Sequence, residues 1–368
     1  MTLAPLIMLA AGGTGGHLFP AEALAVTLMK RGFRVRLITD SRATRYAGLF
    51  SKEMTDVVPS ETFRGRSPIA LARTATALGA GTAMAIALMR RLRPAVVIGF
   101  GGYPTLPPLF AARLCRIPTI IHDSNAVMGR ANKLLSKRVA AIATSLPGVL
   151  DHDASLAAKT TMTGTPMRPG ILAAAAVPYV APEIGGALRL LVVGGSQGAR
   201  VMSDIVPGAI ERLEPALWSR LVLTQQVRDE DMARVRAVYD RLKIQTDLQP
   251  FFSDLPARLA SSHLIISRSG AGTVAELGAI GRPSILVPLP GALDQDQFAN
   301  AGVLANAGGA LRIAQPDFTP DRLAAEISAL AAEPARLIAM AQNARKVGTL
   351  DAAERLADLV GKVAGVSA

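Results

Sequence analysis

"LIMLAAGGTGGHLFP" (residues 6–20) and "LRLLVVGGSQGAR" (residues 188–200) are near-copies of one pattern. Each is an apolar run that stops in glycines and restarts as a new segment. A short apolar run bounded by glycine reads as a buried strand, and the segment after it as a helix start. One such turn heads each half of the 368-residue chain, which predicts two domains built alike. Further strands are expected over 35–39, 95–99, 119–122 and 140–144, and again over 221–224, 264–267 and 284–287. They alternate with longer helical patterns, the signature of parallel sheets covered by helices on both faces. The fold class is therefore α/β: two doubly wound, Rossmann-like domains, whose ligands bind at the carboxyl ends of the strands. "RPGILAAAAVPYVAPEIGG" (168–186) breaks the rhythm with Pro and Gly and reads as the interdomain connection. The expected division is a first domain over 1–167, a linker over 168–187, a second domain over 188–350, and a C-terminal helix within 351–368 that could pack back on the first domain.

Charge is segregated. The net +12 lies in one half: residues 1–184 hold 21 Lys and Arg against 9 Asp and Glu, whereas 185–368 hold 19 of each. One domain is thus expected to meet an anionic partner, be it nucleic acid, a membrane or a phosphorylated substrate, unless the charge serves only solubility. Cys115 is the single cysteine, so no internal disulfide forms and a reducing compartment fits. With four His besides, a structural zinc site is not expected. The first basic residue is Lys30, so the apolar start does not read as a signal peptide.

The glycine turns suit anion binding. Gly12-Gly13-Thr14-Gly15-Gly16 lets backbone approach a ligand and leaves amides free at a helix start, and Gly194-Gly195-Ser196-Gln197-Gly198 does the same. Tight strand-to-helix packing without a ligand would use the same residues. Neither loop is G-x-G-x-x-G or a P-loop, although Asp40, ending the second strand, keeps a dinucleotide reading open. His17 stands where a general base or a mere packing residue would stand, and the positive helix end favours its neutral form. A third loop, "SRSGAGTVAELGAIGRP" (267–283), offers Thr273 and amides to phosphate and Glu276 to ribose hydroxyls, or simply a first-turn acid. In 290–302, Asp294-Gln295-Asp296 resembles a metal-binding D-x-D, while Gln297 and Asn300 could contact a sugar.

Seven motifs, in order along nearly the whole chain, resemble the MurG family of peptidoglycan glycosyltransferases. They are "GGTGGH" (12–17), "GFGGYPTLP" (99–107), "HDSNAVMGRANK" (122–133), "TGTPMR" (163–168), "GGSQGAR" (194–200), "SRSGAGTVAE" (267–276) and "DQDQFANA" (294–301). The resemblance implies a GT-B fold, two Rossmann-like domains facing across a cleft, with the UDP-sugar on the C-terminal domain and a lipid-linked acceptor on the N-terminal one. It implies an inverting hexosyltransferase that moves GlcNAc from UDP-GlcNAc to the C4 hydroxyl of MurNAc in lipid I, forming lipid II for peptidoglycan, with no metal or other cofactor. Carried over by motif, the donor contacts are Thr14, Gly15, Gly16, Asn125, Arg168, Ser196, Phe252, Ala271, Gly272, Thr273, Val274, Ala275, Glu276 and Gln297. Glu276 would hold the ribose, and Ser196 with the loop amides the diphosphate. His17 matches a proposed base, and Tyr103 and Asn125 the acceptor side. The implied partners are UDP-GlcNAc, lipid I, an anionic membrane surface and cell-wall or division proteins, not nucleic acid. The implied place is peripheral, on the cytoplasmic face of the inner membrane. Two departures stand out: His122-Asp123-Ser124-Asn125 replaces the usual His-Glu-Gln-Asn, and Asp296 departs from the pattern before Gln297.

"RGRSPIALARTATALGAGTAMAIALMRRLRP" (64–94) holds six Arg and no acid. Spanning a bilayer would bury Arg73 at its centre, at about 2.5–3.5 kcal/mol. Helices resting an apolar, basic face on anionic lipid are the expectation, with plain core helices as the alternative. Three rival functions remain on sequence: a GT-B enzyme glycosylating diacylglycerol, an NAD-dependent oxidoreductase, and a catalytically dead binder of lipid-linked precursors.

Overall fold

The computed structural model describes residues 4–12, 15–41, 48, 50–61, 67–195, 198–291 and 295–366. The chain forms two compact units, Met1–Arg168 with Leu350–Ala368, and Pro169–Thr349. Each is a parallel sheet between helices.

The first unit holds β1 (Leu6–Ala10), β2 (Arg34–Thr39), β3 (Thr55–Val57), β4 (Val96–Gly99), β5 (Thr119–Asp123), β6 (Ala141–Thr144) and β7 (Thr160–Met162), in the order β3-β2-β1-β4-β5-β6-β7. β1 runs parallel to both β2 and β4, with Ala10 opposite Ile38 on one side and Gly99 on the other. The order reverses there, so the β1 and β4 loops leave the sheet side by side, the position where such sheets bind ligands. Alternation along β1 divides the core. Ile7 and Leu9 pack with Leu24 and Leu28 on one face, and Met8 and Ala10 with Ala85, Met89 and Leu109 on the other.

The second unit holds β8 (Leu188–Val193), β9 (Leu221–Gln226), β10 (Gln245–Gln249), β11 (Leu264–Ser267), β12 (Ser284–Leu286) and β13 (Ala310–Arg312), in the order β10-β9-β8-β11-β12-β13. Its reversal lies between β8 and β11, with Val193 opposite Ser267, so the loops after these two strands are again neighbours.

One boundary differs from the sequence reading. The stretch expected as a linker is part of the second unit, and its start is a helix, Pro169–Ala175, packed on helices Leu255–Ser261 and Ala271–Ile280. Proline at a first helical position is favourable, because its missing N–H would be unpaired there anyway. Buried Arg282 reaches the same stretch, donating to the Val177 and Ala260 carbonyls. The C-terminal helix Ala352–Ala364 belongs to the first unit. It packs Leu356, Ala357 and Val360 into that core, and Arg31 bonds Glu354 and Asp358. By structural unit the charge splits as sharply as by halves, with 23 Lys and Arg against 11 Asp and Glu in the first unit and 17 of each in the second.

The arginine-rich segment is largely one helix, Pro68–Leu92. Thr74, Gly81, Ala85 and Met89 are buried, whereas Arg73, Ala80, Met84, Ala87, Arg90 and Arg91 are exposed. A methyl at Gly81 would lie 2.0 Å from the Pro59 carbonyl oxygen, so this helix lies close on its support. Among the described residues no helix is long and apolar enough to cross a membrane.

Candidate functional site

In the first unit the site begins at the switch point. The β1 loop leads into helix Gly15–Lys30, which places His17 at its third position. The β4 loop supplies the seat for its ring. Gly101 and Gly102 have φ of +92° and +76°, which side-chain-bearing residues rarely adopt. A methyl at Gly101 would lie 3.3 Å from the imidazole, and one at Gly102 3.4 Å from it. These two glycines, quoted in the sequence without a role, shape the space the His17 ring occupies. An adjacent Gly-Gly directly after a switch-point strand was the available signal. The loops also interlock: a methyl at Gly12 would lie 2.8 Å from Pro104 Cβ.

His17 is half-buried, and its pKa lies below the ordinary histidine value. Burial is the largest cause; the nearby Asp123 carboxylate and a hydrogen bond to the Gly12 carbonyl pull the other way. The neutral imidazole a base requires is therefore the resting form at neutral pH. Beside it, His122 is buried, with Nε2 3.0 Å from the Gly164 carbonyl oxygen, and burial depresses its pKa too.

The β5 loop follows. Asp123 is buried and accepts the Asn125 N–H at 3.0 Å, the Gly129 N–H at 2.9 Å and the Asn132 amide at 2.9 Å. This turn carries Asn125, half-buried. Tyr103 lies half-buried in the single turn Tyr103–Thr105 after Gly102. Gly15 has no room for a side chain, because a methyl there would lie 2.7 Å from the Phe19 ring. That ring in turn carries the Arg168 guanidinium, 3.8 Å from its centroid. Gly16 is exposed at the helix start. Asp40 is buried and accepts the Ser60 hydroxyl at 3.3 Å, which removes the sequence argument for a ribose ligand there.

In the second unit, helix Ala271–Ile280 starts directly after the β11 loop. Ala271, Gly272 and Thr273 are half-buried at its first turn. Methyls at Gly270 and Gly272 would meet nothing within 4 Å among the described residues, so the helix start opens on free space. Val274 is buried and offers only its main chain, while Ala275 and Glu276 are half-buried. The loop is braced from below. Arg268, nearly buried, donates to the Val287 and Pro288 carbonyls at 3.1 and 3.0 Å and to Gln315 at 2.6 Å. Ser269 donates to the Gln297 carbonyl at 2.8 Å, and Gln297 Oε1 accepts the Leu289 N–H at 3.0 Å. Gln297 is thus pinned beside the β11 loop with its oxygen engaged. Asn300, expected as a sugar contact, is buried and donates to the Ser269 carbonyl, a bracing role.

The β8 loop is wound tightly: Gly195 and Gly198 have φ of +91° and +68°, and Gly194 N–H donates to Gln226 at 2.9 Å. Phe252 is buried under the Arg258 guanidinium, so what it can offer a ligand is main chain. Thr14, Ser196 and Asp294 lie outside the described residues. Asp296 accepts the Gln297 N–H at 2.7 Å, as a first-turn helix acid does. Among the described residues no group of three or more His, Cys, Asp or Glu could hold a metal ion.

Comparison with known proteins bears on both units. The glycosyltransferase family 28 N-terminal domain matches residues 7–144, and the glycosyltransferase family 28 C-terminal domain matches residues 189–356. The chain is 80% identical over 365 residues to the UDP-N-acetylglucosamine--N-acetylmuramyl-(pentapeptide) pyrophosphoryl-undecaprenol N-acetylglucosamine transferase of Rhodopseudomonas palustris (strain BisB18), covering 99% of this chain and 97% of that one. It is 79% identical to the protein of the same name from Nitrobacter winogradskyi, over the full length of both. Among solved structures it resembles MurG of Acinetobacter baumannii, with a TM-score of 0.78 and 28% identity, covering 97% of this chain and 99% of that one.

Proposed function

The chain belongs to glycosyltransferase family 28, with the GT-B fold of MurG, and on that premise we propose that it transfers GlcNAc from UDP-GlcNAc to the C4 hydroxyl of MurNAc in lipid I, forming lipid II. The observation that carries this reading is the match of about 80% over the whole chain to transferases of that name, in the sense of a shared active-site inheritance. The open helix start at Ala271 gives it a physical basis, because amides and helix dipole favour an anion there.

The second unit holds the donor. The amides of 194–198 and 271–273 take the diphosphate, Glu276 accepts the ribose hydroxyls, Phe252 offers main chain to the base, and Gln297 donates its amide to the sugar. Arg168, Asn125 and the turn at Thr14–Gly16 of the first unit complete the donor contacts, and Tyr103 and Asn125 face the acceptor. In the displacement, the acceptor C4 oxygen forms a bond to the anomeric carbon as the bond from that carbon to the diphosphate oxygen breaks. His17 takes the hydroxyl proton, and UDP leaves with the bonding pair. The α-linked donor becomes a β-1,4 product. Preorganised amides stabilise the charge growing on the leaving group, a task a metal would otherwise perform, so no metal is needed.

The test is UDP release from UDP-GlcNAc in EDTA, with and without a lipid I analogue. Acceptor-dependent release is expected. Release that requires magnesium would remove the metal-free mechanism. No release with magnesium restored would make the chain a binder rather than an enzyme.

The first unit also rests on membrane, at the cytoplasmic face. The support is its net positive charge and the exposed face of helix Pro68–Leu92, where small apolar residues lie between Arg73 and the Arg90–Arg91 pair. That helix packs on Leu106–Leu114, and exposed Leu114, Arg116, Lys133, Leu134 and Lys137 extend the same chemistry. Each basic residue near an anionic surface contributes about 1 kcal/mol. Sedimentation with phosphatidylglycerol vesicles should therefore be strong at low salt and fall as salt rises. Equal retention by phosphatidylcholine vesicles, or none by either, would refute this.

A further inference from the structure

The strongest unassigned group beside the reacting residues is the buried carboxylate of Asp123. Its two oxygens gather four donors: the Asn125 N–H at 3.0 Å and the Asn125 side-chain amide at 3.4 Å on Oδ1, and the Gly129 N–H and Asn132 amide, both at 2.9 Å, on Oδ2. The Asn132 amide also donates to the His122 carbonyl at 3.0 Å, which fixes its plane. That amide lies against Gly101: a methyl on Gly101 would be 3.5 Å from the Asn132 nitrogen and 3.3 Å from the His17 ring. Asp123, Asn132 and the glycine seat of His17 are thus in one packed row.

We propose that Asp123 is a positioning residue for the transfer, acting through two partners. Its hydrogen bonds set the turn that presents Asn125, and its negative charge steadies the imidazolium that His17 becomes when it takes the acceptor proton. This rests on the reading of His17 as the base. Asp123 does not touch substrate. A buried carboxylate is costly unless hydrogen-bonded, and these four donors meet that cost.

Among the described residues, Asp123 and His122 act on the charge of His17, and Tyr103 follows Gly102 in the β4 loop. Asp123 and His122 lie at the end of β5; His122 is kept neutral by burial and by its place against the Gly164 carbonyl. The β1 and β4 loops bring the Gly12 carbonyl, Gly101 and Gly102, none of which titrates. Removing the charge on Asp123 therefore lowers the His17 pKa further and weakens it as a base.

The experiment compares Asp123→Asn and Asp123→Glu in the full-length enzyme, alone and in the His17→Ala background. Asp123→Asn should lower kcat at least tenfold, raise the KM for UDP-GlcNAc no more than a few-fold through Asn125, and move the acid limb of the kcat/KM profile to lower pH. Asp123→Glu should recover most of kcat and return the limb toward its original position. Once His17 is alanine, Asp123→Asn should cost kcat far less than it does beside the histidine, leaving only the part that runs through Asn125. If Asp123→Asn does not fold, Asp123→Ser removes the same charge with a smaller polar group and carries the same expectations. An unmoved limb in the charge-removing variant that folds, or full additivity with His17→Ala, would overturn the proposal. Near-normal turnover of His17→Ala by itself would instead overturn the base reading, so the two failures are distinguishable.

Discussion

His17→Ala should lower kcat by about 10²–10⁴-fold, the usual contribution of a positioned base. The Kd for UDP-GlcNAc should change no more than a few-fold, because the diphosphate and ribose contacts assigned to the second unit are untouched. The alanine should fold well. His17 is only half-buried over Gly101 and Gly102, so losing the ring leaves a partly open space rather than a core cavity. The pH dependence follows from the burial of His17. A base works only when neutral, so kcat/KM falls as pH drops through its pKa. Burial sets that pKa below the ordinary histidine value of 6.5. The acid limb should therefore lie below pH 6.5, and it should vanish in His17→Ala. A limb well above that pH, or one that survives the substitution, would assign the proton to another group.

The expectation of one glycine turn per half reached as far as the central strands and stopped at the edges. β1, β8 and β11 have the bounds the apolar runs predict, and β2, β4, β5, β6, β9 and β12 differ by a residue or two. The strands not anticipated are β3, β7, β10 and β13, and these are the four edges of the two sheets. The reason is physical. A central parallel strand is covered on both faces and must be apolar throughout, as "LIMLA" is. An edge strand has one free side, so "TDV", "TTM" and "QTDLQ" carry polar residues that leave no apolar run to read. The site divides in the same way. His17 and Glu276 stand next to glycine punctuation and could be singled out from it, and Gln297 stands in a stretch rich in amides and carboxylates. The bracing of Arg268 by two carbonyls depends on residues about twenty positions away, and the gathering of four donors by Asp123 on a turn that no periodicity announces.

Gly194→Ala should abolish useful donor binding, weakening UDP-GlcNAc by at least about 100-fold, or roughly 2.7 kcal/mol. A methyl there would lie 2.1 Å from the Ala199 nitrogen and 2.6 Å from the Gly198 carbonyl carbon. Those atoms are backbone and cannot rotate aside, so the 194–199 turn would have to open. Opening it breaks the Gly194 N–H bond to Gln226, whose own amide donates to the Pro250 carbonyl at 3.1 Å, and so loosens the ends of β8, β9 and β10 together. Tm should fall with affinity. Gly272→Ala is the contrasting case. Its methyl meets no described atom within 4 Å and sits in the first turn of a helix, where alanine is favoured over glycine. It should hold or raise Tm, yet weaken UDP-GlcNAc by intruding on the space left for the diphosphate. One glycine is required by the chain's approach to itself and the other by the approach of a ligand. Measuring affinity and Tm for both variants separates these causes. Wild-type affinity in Gly272→Ala would remove the diphosphate from that helix start, and wild-type affinity in Gly194→Ala would show that the β8 loop can relax without losing its hold on the donor.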